Sequence, residues 1–159
     1  MNIKNSIEKA RDFGLKRLIE LSGILILIVS VLLLIALISY NPNDPNFIYP
    51  ENQEINNILG INGSIAADFL FQSIGLVSYF LPITLIFLSV TIIYQKNLTH
   101  IFSSLFYIVC YSIIGTIFLT QFYTDAFFLI INGNGGFVGN YFYNNCLLYT
   151  SDAADDWSG

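Results

Sequence analysis

Leu21 to Tyr40 reads LSGILILIVSVLLLIALISY and runs straight into the turn-rich peptide Asn41-Pro-Asn-Asp-Pro-Asn-Phe47. About 20 apolar residues without a charge, rising 1.5 Å each, match the hydrocarbon core of a bilayer, so the run reads as a membrane-spanning helix. Ser22, Ser30 and Ser39 interrupt it, but a serine hydroxyl can bond back to the carbonyl one turn earlier and stay satisfied in lipid. Pro42 and Pro45 have no N–H to donate and push Asn41 and Asp44 out of the α region. The helix is therefore expected to stop near Tyr40, with that ring at headgroup level.

Composition points the same way. Of 159 residues, 55% are hydrophobic and only 11% charged, and the mean hydropathy is +0.65. One soluble domain has too little interior for that much apolar surface, so lipid must cover the excess. The net charge of −5 conceals a segregation by position. Lys4, Lys9, Arg11, Lys16 and Arg17 precede the first span, and only Lys96 follows it.

Residues 1–20 form a polar cytoplasmic arm with Ile3, Ile7, Ala10 and Gly14 or Leu18 on one helical face. Glu8, Asp12 and Glu20 dilute its basic charge, which favours a solvated juxtamembrane helix over one lying on anionic headgroups. The apolar run is too long for a signal-peptide core and no small-x-small cleavage site follows it, so the N-terminus reads as an uncleaved signal anchor. Asn41 to Ser64 carries Asp44, Glu51 and Glu54 but no lysine or arginine, which places it outside the cytoplasm. Its prolines and glycines predict turns, with Ile55, Ile58, Leu59 and Ile61 resting on the membrane surface.

Ile65 to Tyr94 exceeds what a bilayer needs and divides into an entry turn, Ile65 to Gln72, and a second span over about 73–93. Ser64 is expected to cap this helix and Asp68 to lie near its positive end, at the interface. Pro82 is expected to kink the span. Tyr94 to His100 is a polar turn back on the cytoplasmic side, and a third span covers about 101–119. There Ser104, Ser112, Gly115 and Thr116 form a small, weakly polar packing stripe. All six basic residues then fall on one side of the membrane, opposite Asp44, Glu51, Glu54, Asp68 and Asp125. Asn132-Gly-Asn-Gly-Gly136 is a turn, and an incomplete fourth span begins at about residue 137. The fold class is thus all-α: a polytopic helical bundle with three complete spans and the start of a fourth, over residues 21–145.

Little chemistry accompanies this pattern. His100 is a lone interfacial histidine, and Cys110 and Cys146 define neither a disulfide nor a zinc site. Gly133, Gly135 and Gly139 miss the dinucleotide-binding spacing, and no G-x-x-x-x-G-K-[ST] occurs, so neither catalytic, metal nor cofactor residues are assigned. The sequon matches at Asn62 and Asn97 are weak. Asp68 with Gln72 is the one strongly polar pair near a span, and the interfacial position favours charge settling over a proton relay.

Ser39-Tyr40, Pro42, Asp44, Pro45 and Phe47, then Gly60-x-x-Gly63, Ala67-Asp68, Gly75, Tyr79 and Leu81-Pro82, together resemble the N-terminal membrane domain of the FtsK/SpoIIIE family of bacterial DNA translocases. Gly135-Gly136-x-x-Gly139 also resembles the glycine turn before that family's last membrane helix. The likeness runs over about residues 17–141. It implies a multi-pass anchor in the bacterial inner membrane at the division septum, from a protein of cell division and chromosome segregation. The motor, with its ATP and Mg and its hold on DNA, is implied to lie beyond these residues. Partners implied for this part are the lipid bilayer, other copies of the chain and other septal membrane proteins. Residues 146–159 resemble translated sequencing-adapter read-through and are expected to be a non-native tail. A small transporter or channel subunit is the alternative, suggested by Pro82 and Asp68 but lacking repeated halves and a midplane partner. A membrane enzyme would need an acid/base pair or nucleophile that the sequence does not offer.

Overall fold

A single helix, α1 (Ile3–Ile38), carries the chain from its charged arm through the whole apolar run without a break. It belongs to a computed structural model that describes residues 3–45, 54–123, 129 and 131–147, among which there are helices and turns but no strand. The serines behave as the span requires: Ser22, Ser30 and Ser39 donate to the carbonyls of Ile19, Leu27 and Ile35 at 2.7, 2.9 and 2.7 Å. Helix α2 (Gly60–Ile74) leads into a 3-10 segment (Gly75–Tyr79) and then α3 (Phe80–Gln95). After a short turn comes α4 (Thr99–Phe122), and α5 (Gly136–Phe142) ends in a π-helical turn, Tyr143–Leu147. Three helical stretches are long and apolar enough to cross a membrane: Glu8–Ile38, Gly60–Gln95 and Thr99–Phe122.

Antiparallel packing of α1 on α3 is the main helix pairing. It is close because small residues meet there, as in membrane interfaces generally. A Cβ on Gly23 would come within 2.7 Å of Ile93 Cγ1 and 3.3 Å of the Ser89 carbonyl, and Ser30 and Ser89 are fully buried. At the far end Ala36, Leu37, Ala67, Phe71 and Leu129 form the buried core cluster. On α4 the expected packing stripe is used at its C-terminal part: Gly115 faces Val77, and Thr116 is buried beneath Gly135 and Gly139. The rest of α4 is largely uncovered by the chain.

Several boundaries differ from the sequence reading. The second span is preceded by helix rather than an entry turn, since α2 already starts at Gly60. Ser64 therefore lies inside α2 and caps nothing; it donates to the Pro45 carbonyl at 3.0 Å. The break expected at Pro82 falls upstream, at Gly75, where φ is +60° and ψ −145°. Pro82 occupies the third position of α3, where the absent N–H would have had no helical partner and costs nothing. The α2 end is repaired from a distance. Leu76 N–H donates to the Asn134 carbonyl at 2.9 Å and Asn132 Nδ2 to the Gln72 carbonyl at 3.2 Å. A broken helix is tolerable in lipid only when its freed backbone groups find such partners.

This crossing leaves no room for side chains. Gly136 sits at φ +66°, and a Cβ there would approach Gly75 N to 2.5 Å and the Ser73 carbonyl to 2.7 Å. Gly133, also left-handed at φ +65°, has open space around it. Gly133→Ala should thus cost only the left-handed strain, about 1 kcal/mol, whereas Gly136→Ala adds overlap and should cost at least about 2 kcal/mol. In detergent-solubilised protein the second substitution should lower Tm by about 4 °C or more and the first by clearly less. Equal shifts would show that the crossing is looser than drawn.

Candidate functional site

The last carbonyls of α1 have no partner within the helix, a deficit that every helix C-terminus must settle. Here long-range side chains settle it. Asn57 Nδ2 donates to the Ala36 carbonyl at 2.9 Å and the Ser39 carbonyl at 3.3 Å, and Tyr79 Oη donates to the Leu37 carbonyl at 3.3 Å. Ser39 Oγ in turn accepts Ile58 N–H at 3.2 Å. Helix α1 thus stops at Ile38, close to the expected position, but its stop is built by the segment before α2 as much as by Pro42.

Asp44 holds that segment in place. Only 1% exposed, its Oδ1 accepts the backbone N–H and the Nδ2 of Asn56 at 2.9 and 3.0 Å, and its Oδ2 accepts Asn57 N–H at 2.8 Å. Hydrogen bonds from three N–H groups compensate a buried carboxylate far better than one would. Asn57 Oδ1 closes a local turn by accepting Leu59 N–H at 3.1 Å, and Gly63 packs directly beneath it. A Cβ at Gly63 would sit 2.6 Å from Leu59 Cβ.

Asp68 departs from expectation, and Tyr40 is its partner. The Tyr40 ring lies 4.7 Å from the Phe71 ring, and its hydroxyl donates to Asp68 Oδ1 at 3.0 Å. Phe71 is fully buried and meets Tyr79 edge-on at 5.2 Å. Asp68 is 5% exposed and well inside α2, so it does not settle a helix N-terminus. It joins a polar relay of contacts instead: Gln72 Nε2 lies 3.5 Å from Asp68 Oδ1, and Gln72 Oε1 accepts Asn132 Nδ2 at 2.9 Å. Asn140 Nδ2 then donates to the Asn132 carbonyl at 2.9 Å.

Of the signature residues, Ser39, Tyr40, Asp44, Pro45, Gly63, Ala67, Asp68 and Tyr79 gather around the end of α1. Pro42 is half-buried in the same turn, and Gly60 begins α2 with φ +65°. Gly75 and Pro82 stand apart, at the helix break and in the first turn of α3. Phe47, Glu51, Asp125 and the tail over 148–159 lie outside the described residues. Sequence reasoning missed Asn56, Asn57, Asn132 and Asn134; the Asn-Asn pair twelve residues after Asp44 was the available signal. Among the described residues no three His, Cys, Asp or Glu side chains converge as a metal site. A groove of about 580 Å³ between α3 and α4 is mostly apolar, with Thr84, Tyr107 and Tyr111 among its lining; the Thr84 and Tyr111 hydroxyls lie 3.0 Å apart. At the opposite end of the bundle Lys96 Nζ is 2.6 Å from Glu20 Oε1. Hydrogen bonds from Lys96 and then Arg17 hold the Glu20 carboxyl below the usual carboxylate range.

What these features define is a multi-pass helical membrane domain whose polar groups cap helices and anchor turns rather than perform chemistry. The family model describing the 4TM region of DNA translocase FtsK/SpoIIIE matches residues 15–150, and the chain belongs to that family as its non-catalytic, inner-membrane part. It is similar to the DNA translocase FtsK of Agrobacterium fabrum, 27% identical over 128 residues, which are 80% of this chain and 14% of that protein. The FtsK of Azospirillum brasilense is 33% identical over 92 residues, 57% of this chain and 15% of that protein. For Rickettsia prowazekii FtsK the figures are 33% over 64 residues, 40% of this chain and 9% of that protein. The chain thus spans a small part of the length of these relatives. No solved structure matches it significantly.

Asp44→Asn replaces an acceptor oxygen with a donor facing N–H groups, and Asn57→Ala bares two α1 carbonyls. Each should cost about 2 to 3 kcal/mol, lowering Tm in detergent by about 5 °C or more. Glu54→Gln, exposed on the same segment, is the control and should leave Tm unchanged.

Proposed function

We propose that this domain anchors an ATP-driven double-stranded DNA translocase in the inner membrane at the division septum. The observation that carries the reading is the family match across residues 15–150. In this reading ATP and Mg bind in a motor outside these residues, and DNA is engaged only there. The domain itself contributes anchoring, association with other copies of the chain, and contact with other septal membrane proteins. The signature residues have structural roles, a reading supported by the clustering of Ser39, Tyr40, Asp44, Pro45, Gly63, Ala67, Asp68 and Tyr79 around the end of α1. Transport has no observation in its favour, because Asp68 is taken up in contacts with Tyr40 and Gln72 that tie helices together.

The N-terminus and Lys96 are assigned to the cytoplasm, and the segment from Asn41 to Ser64 to the other side. Charge segregation supports this orientation. The Lys96–Glu20 ion pair adds to it, since it brings the one late basic residue to the end of the bundle where the arm emerges. With cysteines introduced at Asn52 or Asn97 in a chain whose own Cys110 and Cys146 are replaced by serine, an impermeant maleimide should label intact spheroplasts at 52 and not at 97. The reverse pattern would invert the topology.

The purified domain should neither hydrolyse ATP nor bind duplex DNA. It has no phosphate-binding loop, and the arm sets five positive against three negative side chains. A DNA-tracking surface must neutralise several phosphates, which makes its binding fall steeply with salt. Salt-sensitive retention of duplex DNA would contradict the proposal, as would a stop codon soon after Asn145 in a clean genomic clone.

A further inference from the structure

The turn before α5 and the end of α4 enclose a second cavity, of about 270 Å³, at the opposite end of the bundle from the Glu20–Lys96 pair. Its chemistry is unlike that of the apolar groove between α3 and α4. Thr120, Tyr123, Asn132, Asn140, Tyr143 and Asn144 wall it, together with the glycine turn. Among the described residues no charged side chain lines it. An ion of either sign therefore meets no counter-charge there, and a hydrocarbon chain would leave the amides without partners.

The cavity carries more polar groups than the fold uses. Asn132 Nδ2 is committed to Gln72, and Asn140 Nδ2 to the Asn132 carbonyl. Their amide oxygens are left over: among the described residues neither accepts a hydrogen bond, and neither is sealed from water. Asn144 is exposed, and its side chain bonds to none of the described residues. Asn140, Tyr143 and Asn144, spaced three and four apart, make one face of α5 and the π-helical turn after it. Phe137 and Tyr141, 61% and 55% exposed, stack on each other away from that face. Polar groups on a segment entering a bilayer are costly, and they mark binding sites more often than chance would place them. The π turn at Tyr143 is a widening of the kind that recurs at functional sites.

Two leftover amide oxygens call for a ligand that donates hydrogen bonds. The Tyr123 and Tyr143 hydroxyls and the Asn144 amide can donate or accept, and the two tyrosine rings offer flat apolar walls. The volume lies at the lower end for ligand pockets and admits one ring rather than a chain. A pyranose meets all of these conditions: hydroxyls around its rim, a face of C–H groups that packs on an aromatic ring, and no charge.

We propose that this cavity binds a single uncharged sugar ring, presented by a free glycan or by a glycolipid headgroup at the bilayer surface. Asn132 and Asn140 accept from its hydroxyls, Asn144 holds the rim, and the tyrosine rings pack on its C–H face. The cavity lies at the end assigned to the non-cytoplasmic side, but binding by purified protein does not depend on that assignment.

The chain in a phosphocholine detergent, which carries no sugar of its own, is titrated with the methyl glycosides of glucose, galactose and N-acetylglucosamine and followed by saturation-transfer NMR. At least one should bind saturably, with transfer strongest to the protons of one ring face. Asn144→Ala, at an exposed site, should weaken that binding about fivefold with Tm unchanged, and Tyr143→Leu should weaken it at least as much. Phe102→Ala, at the other end of α4, should leave it as it was. No saturable binding by any glycoside to folded protein would overturn the site, as would binding that both cavity variants leave intact. N-methylacetamide binding as tightly as the best glycoside would show a site for peptide groups and also overturn it. In nanodiscs, displacement of the free glycoside by a monoglycosyl diacylglycerol would identify a lipid headgroup as the source of the sugar; a glycoside that stays bound would identify a free glycan.

Discussion

A transmembrane helix satisfies its own backbone everywhere but at its ends, and in this chain the end of α1 is where the other elements are tied together. Its carbonyls at Ala36 and Leu37, and that of Ser39 just beyond it, accept from Asn57 and Tyr79, which are far away in sequence. Asn57 can serve only because Asp44 accepts its N–H, and Asp44 is itself placed by the turn that ends the helix. The adjoining Pro45 carbonyl takes Ser64 and so positions α2. Ala67 and Phe71 then reach α1, and Phe71 stacks between Tyr40 and Tyr79. A helix terminus, a buried carboxylate and an aromatic cluster thus form one cooperative unit. Polar networks of this kind fix a unique arrangement when every member is satisfied.

The break at Gly75 follows the same logic. Unwinding a helix inside a bundle exposes peptide groups that lipid will not solvate. The chain answers with the turn before α5, whose Asn132 and Asn134 supply a donor and an acceptor. Because the partners are backbone groups and small amides, the two segments must nearly touch, which requires glycine at 75 and 136. Gly135 and Gly139 similarly press onto the Thr116–Thr120 turn of α4. Placement of α5 therefore depends on short side chains along three elements, not on apolar bulk. Apolar bulk gives no preference between a neighbouring helix and lipid.

Hydropathy made the helical class and three membrane-crossing stretches legible in the sequence, because those follow from composition over a window of residues, and Pro42 and Pro45 made the stop of α1 legible because proline cannot continue a helix. Family-specific residues were legible as a pattern before their roles were. Pairings were not legible. Ser64 looked like a cap because it precedes an apolar run, yet the helix had already begun at Gly60, and the hydroxyl was needed by Pro45. Pro82 looked like the kink because proline cannot donate, but a first-turn position asks for no donor, and glycine broke the helix instead. In each case a local rule lost to a contact made with a residue distant in the chain.

These contacts bear on what an anchor must do. An unbroken helix joins the arm of α1 to the cap at its far end. Stability there comes from hydrogen bonds buried away from water, which retain most of their strength because no solvent competes for the freed groups. At the near end the Lys96–Glu20–Arg17 contacts are partly exposed, where such pairs contribute little, and they set the α3–α4 turn against the arm. The capped end of α1 is thus tied by buried hydrogen bonds and the arm end by an ion pair that stands partly in solvent.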